Sequence, residues 1–128
     1  MAATSTSTIT ELGSKFIIDR DCKGNTATVN VTGLSGIIYM VEVDNESNSR
    51  SVYLKIRDAA TATPATSTTN GAGTPHYSFF APAFTKVCYL IPGGAEFATG
   101  LSMWCTTSKA VGATFSAPNP VIVKLLTT

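Results

Sequence analysis

Apolar and polar residues alternate along most of this chain, and the alternation predicts strands. In residues 27–32, Ala27, Val29 and Val31 are separated by Thr28, Asn30 and Thr32, the period of a half-buried strand. The run Gly36–Asp44 puts Ile37, Tyr39, Val41 and Val43 on one face and Ile38, Met40 and Glu42 on the other, so it begins apolar on both sides. A cluster of turn formers from Asp44 to Ser49 follows. Residues 50–58 then alternate again, with Val52, Leu54 and Ile56 inward and Tyr53, Lys55 and Arg57 outward. Two alternating runs around a short polar loop predict a β-hairpin.

Residues 58–75, DAATATPATSTTNGAGTP, have no periodicity and read as a long loop. Such a loop inside a compact domain is usually functional or mobile, and no core role is expected for it. Strands resume at 76–81 and 84–91, Pro92-Gly93-Gly94 is expected to turn the chain, and 97–107 carries another strand. There Leu101, Met103 and Cys105 face one way and Ser102, Trp104 and Thr106 the other. A last strand at 120–126 turns Val121, Val123 and Leu125 inward. No window sustains a helical period. The expected fold is all-β: a single β-sandwich or jelly-roll-like domain of about seven to eight strands over residues 16–128, preceded by an N-terminal arm at 1–15. The arm is too polar to join a core, so Thr8, Ile9 and Thr10 are expected to contact something beyond their own sandwich.

Length and composition narrow the partners. At 128 residues the chain suits one domain, and with 44% hydrophobic but only 13% charged residues it can build a core while its polar surface stays largely uncharged. Thr and Ser supply 32 residues, which favours strands and a hydroxylic surface. A net charge of +1 gives no field to concentrate nucleic acid or anionic lipid, so neither is expected as a partner. The longest apolar stretch, 36–43, is too short to span a bilayer, and residues 1–15 lack a secretory pattern, so synthesis in a cytosol is expected. Cys22, Cys88 and Cys105 are odd in number and unpaired by spacing, and read as free thiols. Asn30-Val31-Thr32 and Asn45-Glu46-Ser47 then match the glycosylation pattern by chance.

The inventory for catalysis is poor. His76 is the only histidine, so one chain cannot build a two-histidine metal site. Gly33-Leu34-Ser35-Gly36 lacks nucleophile-elbow spacing, and neither Gly71-Ala72-Gly73 nor Gly93-Gly94 precedes a helix that could cradle phosphate. The acidic pairs Asp19/Asp21 and Asp44/Glu46 lack the ligand count of a calcium loop and read as solvated turns. The expectation is no enzyme, no metal and no cofactor. One constellation stands out: Tyr53, Lys55 and Arg57, with Trp104, combine aromatic and cationic groups suited to a sugar, base or protein partner, although a plain solvated strand face has the same pattern.

The stretch Val52-Tyr53-Leu54-Lys55-Ile56-Arg57-Asp58-Ala59-Ala60, the later Ile91-Pro92-Gly93-Gly94-Ala95-Glu96-Phe97-Ala98-Thr99-Gly100-Leu101-Ser102 and Cys105-Thr106-Thr107 resemble small structural proteins of tailed bacteriophages, particularly capsid decoration (cement) proteins and fibre-associated β-domains. The resemblance spans roughly residues 50–126. It implies a non-enzymatic virion component made in the host cytoplasm, trimeric, folded as a jelly-roll-like sandwich and bound to the major capsid protein or another virion protein at the capsid surface. A tail or head fibre protein is the alternative within that class. A carbohydrate-binding module using Trp104 and Tyr53 is the alternative outside it.

Overall fold

The structure, a computed structural model, describes residues 13–68 and 71–128. Thr8, Ile9 and Thr10 lie outside the described residues. Seven strands form: β1 (Lys15–Asp19), β2 (Gly36–Asp44), β3 (Val52–Asp58), β4 (Tyr77–Ala81), β5 (Lys86–Phe97), β6 (Leu101–Thr106) and β7 (Ile122–Thr127). They make a larger antiparallel sheet in the order β1-β7-β2-β5 and a smaller one in the order β4-β3-β6. The two sheets pack face to face as a β-sandwich, with Val41, Val43, Val123 and Leu125 of the larger meeting Val52, Leu54, Ile56, Leu101 and Met103 of the smaller, all fully buried. Burying each such side chain contributes on the order of 1.5–3 kcal/mol.

The expected strand at 27–32 does not form. Thr28 makes one antiparallel bridge with Met103, Val31 N donates to Leu101 O, and Cys105 N donates to Lys23 O. Asn30, at φ 50°, takes the left-handed conformation, which interrupts any ladder. The segment nevertheless runs along the open edge of β6 and covers it. With this segment as the partner of β6, the chain pairs its first strand with its last and works inward: β1 with β7, the segment with β6, β2 with β5, β3 with β4. Successive pairs alternate between the sheets, the nesting of a jelly roll with one strand left irregular.

The hairpin expected from β2 and β3 is an arch instead, because the two strands lie in different sheets. Alternation requires only that each strand bury one face, and facing sheets satisfy it as well as neighbouring strands do. The crossing is held from inside by Asn45, fully buried, whose Nδ2 donates to Arg50 O (2.8 Å), Pro82 O (2.9 Å) and Ala81 O (3.4 Å). Asn48 Nδ2 donates to Asn45 Oδ1 and Asn119 O, while Asn48 Oδ1 accepts from Asn119 N.

Two further expectations change in detail. Pro92-Gly93-Gly94 does not end a strand but forms an irregular step within β5, where pairing jumps from Met40↔Leu90 to Ile38↔Ala95. Gly94 needs its freedom there: φ is +78°, and a Cβ would sit 2.1 Å from Ile37 Cγ2. The matching irregularity in β2 falls at Tyr39, so the inward phase changes from Ile38 to Val41 and Val43.

Candidate functional site

Tyr53, Lys55 and Arg57 do share the outer face of the smaller sheet with Ser102, Trp104 and Thr106, as the cross-strand pairs Lys55↔Trp104, Arg57↔Ser102 and Tyr53↔Thr106 require. That face is not open. Lys55 is 1% exposed and Trp104 0%, which corrects their expected place in a surface patch. The physical cause is a cover of irregular chain. Ser102 Oγ donates to Ala59 O, Arg57 Nη1 to Thr74 O, Lys55 Nζ to Ala110 O and Thr106 Oγ1 to Ser108 O. The long loop after β3 and the connection after β6 thus lie over the sheet, and they meet where Gly112 (φ +84°) passes so near Ser67 that a Cβ would be 2.8 Å from its Cβ. The described residues of the 58–75 loop, read from sequence as having no core role, are part of this third layer.

Burial lowers the Lys55 ammonium pKa below its ordinary value. Tyr53 and Arg57 stay half-buried, with the Tyr53 ring 5.2 Å from Phe80. Trp104 Nε1 is buried without a hydrogen-bond partner among the described residues.

The open surface is on the other side of the molecule. The register of the larger sheet aligns Phe16 with Leu126, Leu126 with Met40 and Met40 with Leu90. One apolar row therefore crosses all four strands on the outer face. Its ends are bare, with Phe16 58% and Leu90 74% exposed. The next row reads Ile18, Lys124, Glu42, Cys88, and the one after it Ile122, Asp44, Lys86. Ile37 and Tyr39, beside Gly94, extend the apolar area toward the other end of β2. On this face Lys86 Nζ lies 3.4 Å from Glu46 Oε1 and 3.9 Å from Glu42 Oε1, while Lys124 is in no ion pair among the described residues. Glu46 foremost, then Asp44 and Glu42, raise the Lys86 pKa.

None of Phe16, Ile18, Met40, Leu90 or Leu126 was singled out from the sequence. The signal was present: Phe16-Ile17-Ile18, Tyr89-Leu90-Ile91 and Leu125-Leu126 put apolar residues on consecutive strand positions, which makes both faces apolar. On β2 the irregularity at Tyr39 hid which phase faced outward.

Other chemistry-bearing residues hold structure. His76 Nδ1 accepts from Asp58 N, and the Asp58 carboxylate accepts from the amides of Ala98 (2.7 Å), Thr99 (2.9 Å) and Gly100 (3.3 Å). Burial would raise the Asp58 pKa, but these three donors outweigh it and hold the group below its ordinary value. Asp19 and Asp44 each accept a backbone amide two residues on, the expected solvated turns. Cys22 and Cys105 are buried free thiols, and a hydrogen bond to Cys105, then burial, raise the Cys22 pKa. Among the described residues no three His, Cys, Asp or Glu gather to hold a metal ion.

A cleft of about 400 Å³ is lined by Arg50, Thr107, Phe115, Ser116 and Pro118, with Phe115 78% exposed. Comparison with family models, characterised proteins and solved structures returns no match.

Proposed function

We propose that the protein is a virion structural component, a decoration (cement) protein that sits on the outer capsid surface and stabilises joints between subunits. The observation that carries this reading is the open apolar row Phe16-Leu126-Met40-Leu90 on a rigid sandwich. Monomeric proteins rarely leave such a surface uncovered, and a contiguous apolar face marks an assembly site. The chemistry required is modest: a stiff core, a low-charge surface, and contacts repeated over many copies so that a small free energy per copy adds up across a shell. The jelly-roll nesting suits this role, though it does not assign it, since the fold also serves lectins and enzymes. A tail or head fibre protein would use the same face.

A specific observation keeps a carbohydrate-binding reading in view. Trp104 is buried away from any ligand, but Phe115 offers a bare ring in a cleft it lines with Arg50, Thr107 and Ser116.

The test is mass spectrometry of purified particles, followed by imaging of the density that disappears when the chain is deleted. Density on the capsid exterior is expected. Density on the tail moves the assignment to a fibre protein, and absence of the chain from particles, together with glycan binding that Phe115→Ala abolishes, overturns it in favour of the carbohydrate module.

A further inference from the structure

We infer that the outer face of the larger sheet binds a second copy of this chain, about a two-fold axis running along the strands between β7 and β2. The inference rests on the reading of this face as an assembly surface and names its occupant.

The argument is the order of residues across the sheet. A rotation of 180° about such an axis lays β7 of one copy over β2 of the other, and β1 over β5. The row Phe16-Leu126-Met40-Leu90 then meets itself reversed, so Phe16 faces Leu90 and Leu126 faces Met40 of the second copy. Every contact in that row is apolar against apolar. The next row, Ile18-Lys124-Glu42-Cys88, also meets itself reversed. Lys124 of each copy falls over Glu42 of the other, twice, while Ile18 falls over Cys88. Lys124 and Glu42 stand next to the axis, where the rotation between stacked sheets, about 30°, displaces partners least. The third row, Ile122-Asp44-Lys86, sets Ile122 over Asp44 but lies at the last residue of β2, so the self-matching order is carried by the two rows inside it.

The area agrees. Strands about 4.8 Å apart, of five, six, nine and twelve residues each rising about 3.3 Å, give a face of about 500 Å² per copy, or about 1,000 Å² for the pair. That lies below the roughly 1,200 Å² of standard specific interfaces, in the range of weak ones, and fits a reversible dimer.

The experiment is sedimentation equilibrium of the whole chain and of Glu42→Lys and Lys124→Glu, alone and mixed. Both substitutions are at polar strand positions outside the core. The unaltered chain should dimerise with a Kd of about 100 μM or tighter. Each variant alone sets like charges over one another across the axis and should weaken dimerisation roughly tenfold or more. An equimolar mixture of the two sets opposite charges over one another again and should recover the dimer. Cys88, the one exposed thiol of the described residues, should react with maleimide more slowly as the dimer forms. A monomeric unaltered chain, variants that dimerise like it, or a mixture no tighter than its components would overturn the inference. Because the measurement uses purified chain without particles, its failure leaves the virion assignment standing, and absence from particles leaves a measured dimer standing.

Discussion

Lys55 Nζ donates a 2.7 Å hydrogen bond to the carbonyl oxygen of Ala110, and this contact binds the irregular chain after β6 to the face of the smaller sheet. Lys55 is 1% exposed and has no carboxylate within ion-pair distance among the described residues. Its stem fills space beneath the cover, while its charge is a cost of burial. Lys55→Met keeps the stem and removes the charge, so its stability at pH 7 should equal that of the parent or exceed it by up to about 1 kcal/mol. Lys55→Ala leaves a void and should lose about 2 kcal/mol or more. Denaturant titrations of both variants check the pair.

The same residue sets an alkaline trend. Its folded pKa is below the ordinary lysine value, so as pH rises toward that value the folded chain releases the proton before the unfolded chain does. Stability from this group therefore increases through the window below about pH 10.4, the ordinary lysine pKa. The difference in unfolding free energy between parent and Lys55→Met should move in the parent's favour over that window. A difference independent of pH would contradict it.

Asp58 acts at the other end of the scale. Three amide donors hold its folded pKa below the ordinary value, so its contribution is complete above that value and is lost as pH falls through the folded one. Asp58→Asn should cost about 1–2 kcal/mol at neutral pH, with the gap to the parent closing below about pH 4. Thermal melts of both proteins between neutral and acid pH measure the gap.

Asn45 ties the arch together with bonds to Arg50, Ala81 and Pro82 and accepts one from Asn48. Asn45→Ala leaves those buried carbonyls without a donor and should cost about 3 kcal/mol or more. Asn48→Ala should cost less than the sum expected of independent sites when combined with it, because the two side chains share one network. A double-mutant cycle by chemical denaturation reads the coupling.

Phe84 holds φ at 56° while its side chain is 67% exposed. A bulky residue in the left-handed region is strained by about 1–2 kcal/mol. Phe84→Gly relieves that strain and should raise the melting temperature, provided the Phe84 N to Asn48 O hydrogen bond persists. A lower melting temperature would show that the ring contributes packing worth more than the strain.

Much of the fold was legible because a strand with one buried face must alternate. Residues 52–58 and 101–106 showed their inward sets directly, and Val52, Leu54, Ile56, Leu101, Met103 and Cys105 are the residues the core contains. The alternation in residues 27–32 misled because period two records only side-chain order, whereas Asn30 turns left-handed and the segment makes a single bridge. Lys55 and Trp104 were legible as facing away from the core but not as covered, since the residues above them come from chain without any period. The apolar outer face was written in the consecutive apolar pairs, yet its continuity from Phe16 to Leu90 required the register of four strands.

The sequence by itself determined an all-β domain, its inward faces in β3, β6 and β7, and a nearly neutral hydroxylic surface, because those follow from residue type and spacing of two. Only the tertiary structure decided which strands became neighbours, that β2 and β3 cross between sheets, and which outer face was covered and which left bare. Pairing, packing across the sandwich and the lie of a loop depend on residues far apart in the chain, and no local pattern encodes their distance in space.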